Sequence, residues 1–375
     1  MRDPLASLTS TGPTETERVV VGLSGGVDSS VAAALLVEAG ADVIGITLRT
    51  APWTEPEDGV ERFGSCCSPA TAAGARLVAR QLGIPYYLLN HEREFAETVI
   101  ADFAREYRAG RTPSPCVVCN REVKFGTLLR RALAWEAGAV ATGHYARREW
   151  DAAAERWLLR QSPDRQKDQS YFLWPLTQAQ LARARFPIGG MQKSEVRALA
   201  RARQLATADA PESQELCFVA GDYRTFLRGR APDAFVPGPI VDERGREVGR
   251  HAGLGAYTVG QRRGLGLAGS APLYVLRLDP HRNGLVVGPR RALATRGLTA
   301  ETVNWIACST PSGPVRVEAR IRHGAPRVPA EVEPIAPDRA RVTFTVAQAG
   351  VTPGQSVVFY EDDVVVGGGV IAHAA

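Results

Sequence analysis

Lysine is almost missing from this chain: of 45 basic residues only Lys124, Lys167 and Lys193 are lysine, and the rest are arginine. The two interchange readily on a solvated surface but not where a compact ammonium must fit, so each surviving lysine marks a candidate for a chemically demanding position. Long apolar runs are lacking as well. The most apolar stretch, 31–48, is broken by Glu38 and Asp42, and nothing approaches the ~20 apolar residues of a spanning helix. Residues 1–17 contain Asp3, Glu15 and Glu17 and no apolar core, which fits neither an export signal nor an anchor. They read as a loose tail, 1–16, on a soluble, cytoplasmic protein that meets no membrane. With 37 Gly and 25 Pro in 375 residues, 45% hydrophobic, the composition excludes disordered and collagen-like chains. Six cysteines (Cys66, Cys67, Cys116, Cys119, Cys217 and Cys308) without an export signal argue against a disulfide framework and leave thiol chemistry or a metal as the question. Internal repeats and low-complexity tracts are absent.

The net charge of +5 is unevenly spread. Basic against acidic residues number 7 and 13 over 1–100, 22 and 14 over 101–230, and 16 and 13 over 231–375. A basic middle suits a face that meets a polyanion, although a solvated surface of mixed charge gives the same count.

From 18 to about 210 short β-branched runs alternate with helical stretches. Strands are expected at 18–23, 43–48, 86–89 and 139–142, and helices at 28–39, 69–82, 92–108 and 122–136. A hairpin is expected from 145–150 with 157–161, then helices near 177–184 and 193–203. This alternation predicts an α/β fold, a parallel sheet with helices on both faces and ligands beyond the carboxyl ends of its strands. After Pro211 the texture changes to Gly/Pro punctuation between short strands. Strands at 274–278 and 285–287 flank Asn283-Gly284, a strong hairpin signal. Further strands at 316–321, 341–346, 356–360 and 364–371 read as a small barrel or sandwich. The expected division is 1–16, 17–210, 211–295 and 296–375.

The strongest motif is Ser24-Gly25-Gly26-Val27-Asp28-Ser29-Ser30, set between the first strand and the first helix. The glycines let backbone approach an anion, the serines supply hydroxyls, and the helix points its unpaired N–H groups at the same spot. The Gly-Lys-Ser/Thr of a Walker A loop is missing, which disfavours γ-phosphoryl transfer of that type. The heptapeptide resembles the PP-loop of ATP pyrophosphatases, which cleave ATP between the α and β phosphates and leave AMP on a substrate oxygen. The second motif, 111–125, holds Pro113, Pro115, Cys116 and Cys119 ahead of a helix whose N-terminus would favour a thiolate. Cys-x-x-Cys suits a redox pair, half a zinc site or part of an iron–sulfur site. The third is Ser213-Gln214-Glu215-Leu216-Cys217-Phe218, where the α/β pattern ends.

Together with Ala141-Thr142-Gly143-His144-Tyr145-Ala146-Arg147, Lys167-Asp168-Gln169-Ser170-Tyr171-Phe172-Leu173 and Tyr257-Thr258-Val259-Gly260-Gln261-Arg262-Arg263-Gly264-Leu265, these segments resemble the tRNA-specific 2-thiouridylases from residue 18 to the C-terminus. The resemblance implies a PP-loop (adenine nucleotide alpha hydrolase-like) domain, a small central domain and a C-terminal β-barrel. It implies ATP with Mg²⁺ bound by Gly22, Leu23, Ser24, Gly25, Gly26, Val27, Asp28 and Ser29, with Leu48 and Gly143 near the adenosine. Cys119 would be the nucleophile and Cys217 the persulfide carrier. Ser114, Pro115 and Cys116 would meet the target base, and Lys167, Asp168, Gln169, Arg322 and His323 the tRNA. The implied reaction adenylates the C2 oxygen of the wobble uridine and replaces it with sulfur. The partners would be the tRNAs for Lys, Glu and Gln and a persulfide donor such as a cysteine desulfurase or sulfur-relay protein.

Two positions depart from the family's pattern: Cys116 stands where many members have Asp, and His323 where Tyr is more frequent. Three thiols at Cys116, Cys119 and Cys217 could instead hold a 4Fe–4S cluster with one open iron site. Other readings are a PP-loop ligase or amidotransferase, which needs no paired cysteines, and a non-catalytic nucleotide- or RNA-binding protein. His144, His251, Cys66, Cys67 and Cys308 are expected to support the fold.

Overall fold

The computed structural model describes residues 17–52, 68–211, 216–219, 221–267 and 271–375. Cys66, Cys67 and Ser213 to Glu215 lie outside the described residues. Two compact units emerge, one from within 1–99, 116–220 and 362–365, the other from 100–115, 221–361 and 366–375.

The first unit opens with strand β1 (Arg18–Gly22), helix α1 (Val27–Glu38), β2 (Asp42–Arg49), α2 (Pro69–Gln81), β3 (Tyr86–Asn90) and α3 (Glu92–Phe95). Wide helical turns, Ala96–Ile100, lead to α4 (Ala101–Arg108), which belongs to the second unit. The chain returns through α5 (Pro115–Val118), a second stretch of wide turns at Cys119–Thr127, α6 (Leu128–Ala134) and β4 (Ala139–Ala141). The hairpin β5 (Ala146–Asp151) and β6 (Arg156–Gln161) follows, then α7 (Gln178–Arg183), β7 (Ala184–Arg185) and α8 (Lys193–Ala202). The sheet runs β3-β2-β1-β4-β7 with every pair parallel, as the alternating pattern requires.

Helix α1 is apolar almost all round, which suits a helix buried on both sides. Val31, Ala32 and Leu35 pack toward Val196 and Ala200 of α8, and Ala33 and Leu36 toward Val19, Val21 and Val43 of the sheet. Burying one such Val or Leu contributes ~1.5–3 kcal/mol, so the residues just ahead of α1 sit on a rigid base. The β5–β6 hairpin pairs with Val364 and Val365, and Asp363 takes ion pairs from Arg147 and Arg160.

In the second unit α9 (Tyr223–Arg228) meets α4 through the rings of Phe103, Tyr107, Tyr223 and Phe226. A four-stranded sheet of β8 (Gly238–Val241), β9 (Glu247–His251), β10 (Tyr274–Asp279) and β11 (Gly284–Gly288) has the order β10-β11-β8-β9, with the expected hairpin turning at Asn283. The remaining strands are β12 (Ala294–Trp305), β13 (Val315–Arg320), β14 (Val328–Ala336), β15 (Arg339–Ala349), β16 (Ser356–Glu361) and β17 (Val364–Ala374). They run β12-β15-β14-β13-β16-β17 and close where β12 pairs with β17. The barrel alternative is therefore the one observed, around Leu298, Val332, Val342, Phe344 and Phe359. Among the described residues no helix is long and apolar enough to cross a membrane.

Candidate active site

The loop after β1 has the form an anion requires. Gly26 precedes α1 in extended conformation, and among the described residues no side-chain cap closes the helix there, so the first-turn N–H groups remain available to a ligand. Ser29 Oγ accepts from the Ser24 backbone N–H at 3.2 Å and donates to the Gly26 carbonyl at 3.1 Å, which curls the loop. Gly25 has φ +75°, and a Cβ there would lie 2.1 Å from the carbonyl oxygen of Thr71; only glycine satisfies both the left-handed backbone and the close approach of α2. Gly143, just past β4, is equally constrained: a Cβ would lie 2.6 Å from the backbone of Asp28 and Ser29. The loop beyond β4 is thus pressed against the first turn of α1. Leu48 lies near the end of β2, and its neighbour Thr47 donates to the Leu23 carbonyl at 2.6 Å.

Asp28 ties the loop to two residues that motif reading did not place in the site. Its Oδ1 accepts from the Tyr145 hydroxyl at 2.8 Å, and both carboxylate oxygens lie 2.7 Å from Lys193 Nζ. Rarity was the available signal for Lys193, since it is one of three lysines. Tyr145 in turn donates its N–H to Gln169 Oε1 at 3.0 Å and accepts from the Gln169 N–H at 2.9 Å. The 167–169 segment is thereby linked to the nucleotide loop.

Asp168, expected to meet tRNA, is turned inward. It is buried, and its oxygens accept from Gln161 Nε2, the Ser162 N–H, and the Ser170 N–H and hydroxyl at 2.9–3.3 Å. A carboxylate so engaged fixes the loop rather than greeting a polyanion that it would repel. Lys167 and Gln169, on either side of it, are half-buried.

The cysteine segment begins helically because Pro115 suits a first helical position. Cys116 is exposed and Cys119 half-buried. From Cys119 to Thr127 the turns widen, a rare form that is frequent at functional sites. Gly126 permits this widening, since a Cβ there would lie 2.9 Å from the Arg121 carbonyl oxygen. Gln180 of α7 braces the same turns, its Nε2 donating to the carbonyls of Arg121 and Phe125 at 3.3 and 2.8 Å. Asn120, beside Cys119, donates to the Phe172 carbonyl at 3.1 Å while its buried Oδ1 has no partner among the described residues. Crowding pushes the Cys116 thiol up, opposed by the charge of Lys124; the exposed side chain still reaches water, which relieves part of that rise. His144 is buried between Phe125 and Phe186, with Nδ1 2.7 Å from Thr142 Oγ1. Burial, aided by Lys124, holds its pKa well below the usual histidine range, so the ring is neutral.

Loop, Lys167–Gln169 segment and Cys119 turns therefore belong to one connected set in the first unit. Cys217 is half-buried in the same unit, where its neighbour Phe218 meets the ring of Phe95 at 5.6 Å. Arg322 and His323 are exposed in the turn between β13 and β14 of the second unit. Among the described residues no three Cys, His, Asp or Glu side chains converge as metal ligands. Cys116, Cys119 and Cys217 are not brought together as cluster ligands in this arrangement. His251 bonds to the Asn283 carbonyl and the Gly253 N–H, and Cys308 packs against the barrel core, both as parts of the fold.

Residues 17–221 match the family described as the tRNA methyl transferase HUP domain, 224–289 the tRNA methyl transferase PRC-barrel domain and 295–371 the aminomethyltransferase beta-barrel domain. The tRNA-specific 2-thiouridylase MnmA of Symbiobacterium thermophilum is 51% identical over 363 residues, 96% of this chain and 93% of that protein. Its namesake from Roseiflexus castenholzii is 51% identical over 95% of this chain and 99% of that protein. Geotalea uraniireducens has a relative of the same name, 50% identical over 96% of each chain. With half its residues shared across nearly its whole length, the chain belongs to the family of tRNA-specific 2-thiouridylases.

Proposed function

We propose that the chain is a tRNA-uridine 2-sulfurtransferase that converts the wobble uridine of tRNA to 2-thiouridine at the expense of ATP. The observation that carries this is the uncapped N-terminus of α1, joined through Tyr145 and Gln169 to the segment that contacts the Cys119 turns. ATP lies on Gly22 to Ser29, with Leu48 and Gly143 toward the adenosine. Asp28 is the carboxylate at hand for Mg²⁺, which supplies charge neutralisation to the phosphates when bound.

The C2 carbonyl of uridine is a poor electrophile with a poor leaving oxygen. Attack of that oxygen on the α phosphorus breaks the bond to the β phosphate, and the N–H groups of α1 and the serine hydroxyls stabilise the charge on departing pyrophosphate. The terminal sulfur of a Cys217 persulfide then bonds to C2. Cys119 thiolate attacks the Cys217 sulfur, which breaks the S–S bond, leaves a Cys119–Cys217 disulfide and lets AMP depart with the oxygen. External thiol reduces the disulfide, and a persulfide donor such as a cysteine desulfurase or relay protein reloads Cys217. The target uridine leaves its stack to reach Ser114, Pro115 and Cys116. Lys167, Gln169, Arg322 and His323 hold the tRNA, with those for Lys, Glu and Gln as substrates and the cytoplasm as location. The working division of the chain is 17–210 for catalysis, 211–295 as a central domain and 296–375 as the barrel.

The test is tRNA-dependent formation of AMP and 2-thiouridine by anaerobically purified protein, with bound iron measured alongside. Cys119→Ser and Cys217→Ser are each expected to lower thiolation by ~10³-fold or more without lowering ATP affinity. Tolerance of Cys217→Ser would favour ligase or amidotransferase chemistry. Activity that tracks stoichiometric iron would overturn the persulfide route, and methyl transfer from a methyl donor in place of thiolation would overturn the whole reading.

A further inference from the structure

Lys193 lies in none of the motifs that carry the family resemblance, yet its position is difficult to explain structurally. It is the first residue of α8, where the positive end of a helix disfavours an ammonium. The helix has no need of it there. Gln192 and Glu195 form the capping box, and the Lys193 backbone N–H is bound by Asp164 Oδ2 at 2.9 Å. Nor does the contact between α1 and α8 need a polar brace, because Val27, Val31 and Leu35 already pack in the cluster with Val196 and Ala200. A partly buried ion pair adds little to such packing.

Instead the side chain leaves its helix and reaches the nucleotide loop. Nζ lies 2.7 Å from both oxygens of Asp28, 165 positions away, and only 12% of the side chain is exposed. The Tyr145 ring stands 5.6 Å from Nζ while its hydroxyl holds Asp28 Oδ1. Asp28 is in the first turn of α1, beside the N–H groups that point at the anion position. A four-carbon stem lets an ammonium exchange one nearby anion for another, which arginine's rigid fork does less readily.

We propose that Lys193 is a phosphate-binding cation of the nucleotide site, kept in readiness by Asp28. In the resting enzyme the carboxylate neutralises the ammonium. An arriving polyphosphate takes the ammonium over at its β and γ oxygens, and Lys193 then remains on the pyrophosphate as it departs. No bond is made or broken in this exchange. The proposal rests on the nucleotide reading of the loop given above.

Titration calorimetry on the full chain, without tRNA or Mg²⁺, separates the two readings, with pyrophosphate, ATP and AMP as probes. Lys193→Gln is expected to weaken pyrophosphate and ATP on the order of 10- to 100-fold, the loss of one charge-assisted contact, and to leave AMP affinity unchanged. Asp28→Asn removes the competitor for the ammonium, so pyrophosphate should bind several-fold tighter. A merely structural ion pair predicts the opposite sign: weaker binding in Asp28→Asn together with a lowered melting temperature. Unchanged pyrophosphate affinity in Lys193→Gln, or equal losses for AMP and ATP, would overturn the proposal while leaving the nucleotide site intact. No ATP binding by the wild-type chain would remove both.

Discussion

At the residue scale, the imidazole of His144 sets a pH dependence whose sign is fixed by burial. Its folded pKa is depressed well below that of a histidine in the unfolded chain, which is ~6.5. Above that value the ring is neutral in both states and nothing is lost. As pH falls below it the unfolded chain binds a proton that the folded one resists, at a cost of up to ~1.4 kcal/mol per pH unit. Urea denaturation at pH 7.5 and 5.5 should show wild type losing stability on acidification. His144→Phe, which preserves the contacts to Phe125 and Phe186, should show a smaller loss; an equal loss would mean that other groups govern it. The glycine turn ahead of α1 was legible in the sequence because it stands directly between a strand and a helix, although the approach of Thr71 to Gly25 was not. Lys193 was not assignable to the site, since its partner is 165 positions away. The inward turn of Asp168 was not legible, because a motif does not show which way a side chain points.

Among elements, the wide turns at Cys119–Thr127 depend on α7. Gln180 supplies donors to the carbonyls of Arg121 and Phe125 and also completes the capping box with Thr177. Gln180→Leu should cost ~1 kcal/mol or somewhat more and lower the thiolation rate while ATP affinity holds, as steady-state kinetics and calorimetry would report. Equal effects on both would indicate general unfolding instead. The barrel strand β14 escaped sequence reading because Pro329 and Pro334 interrupt it, although its alternate residues Ala330 and Val332 face the core. Strand β12 also went largely unread, because it carries little of the β-branched run that marks its neighbours. It closes the barrel against Gly367 and Gly369, where a Cβ would lie 2.5 and 3.0 Å from backbone oxygens of β12. Gly367→Val should therefore destabilise the barrel by roughly 3 kcal/mol or more, visible as a lowered urea midpoint; a midpoint unchanged within error would contradict closure at that point.

Over the whole molecule, positive charge is carried almost entirely by arginine, with a net +5. Affinity for tRNA should fall with salt as phosphate contacts release counterions. Arg322→Ala, at an exposed turn, should reduce the slope of log K against log salt by ~1 without changing AMP formation from tRNA at saturation. An unchanged slope would remove that residue from the tRNA surface. The α/β pattern and the change to Gly/Pro-punctuated strands were legible because periodicity reports burial directly. The grouping of 100–115 with 221–361 was not, because compactness follows contacts between distant segments and not chain order.

The near-absence of lysine also offers a chemical gauge. An acylating reagent meets three side-chain amines in this protein, and the one beside Asp28 is largely shielded. Mass-spectrometric labelling of that single amine, read against the other two, would report occupancy of the nucleotide loop without any engineered probe.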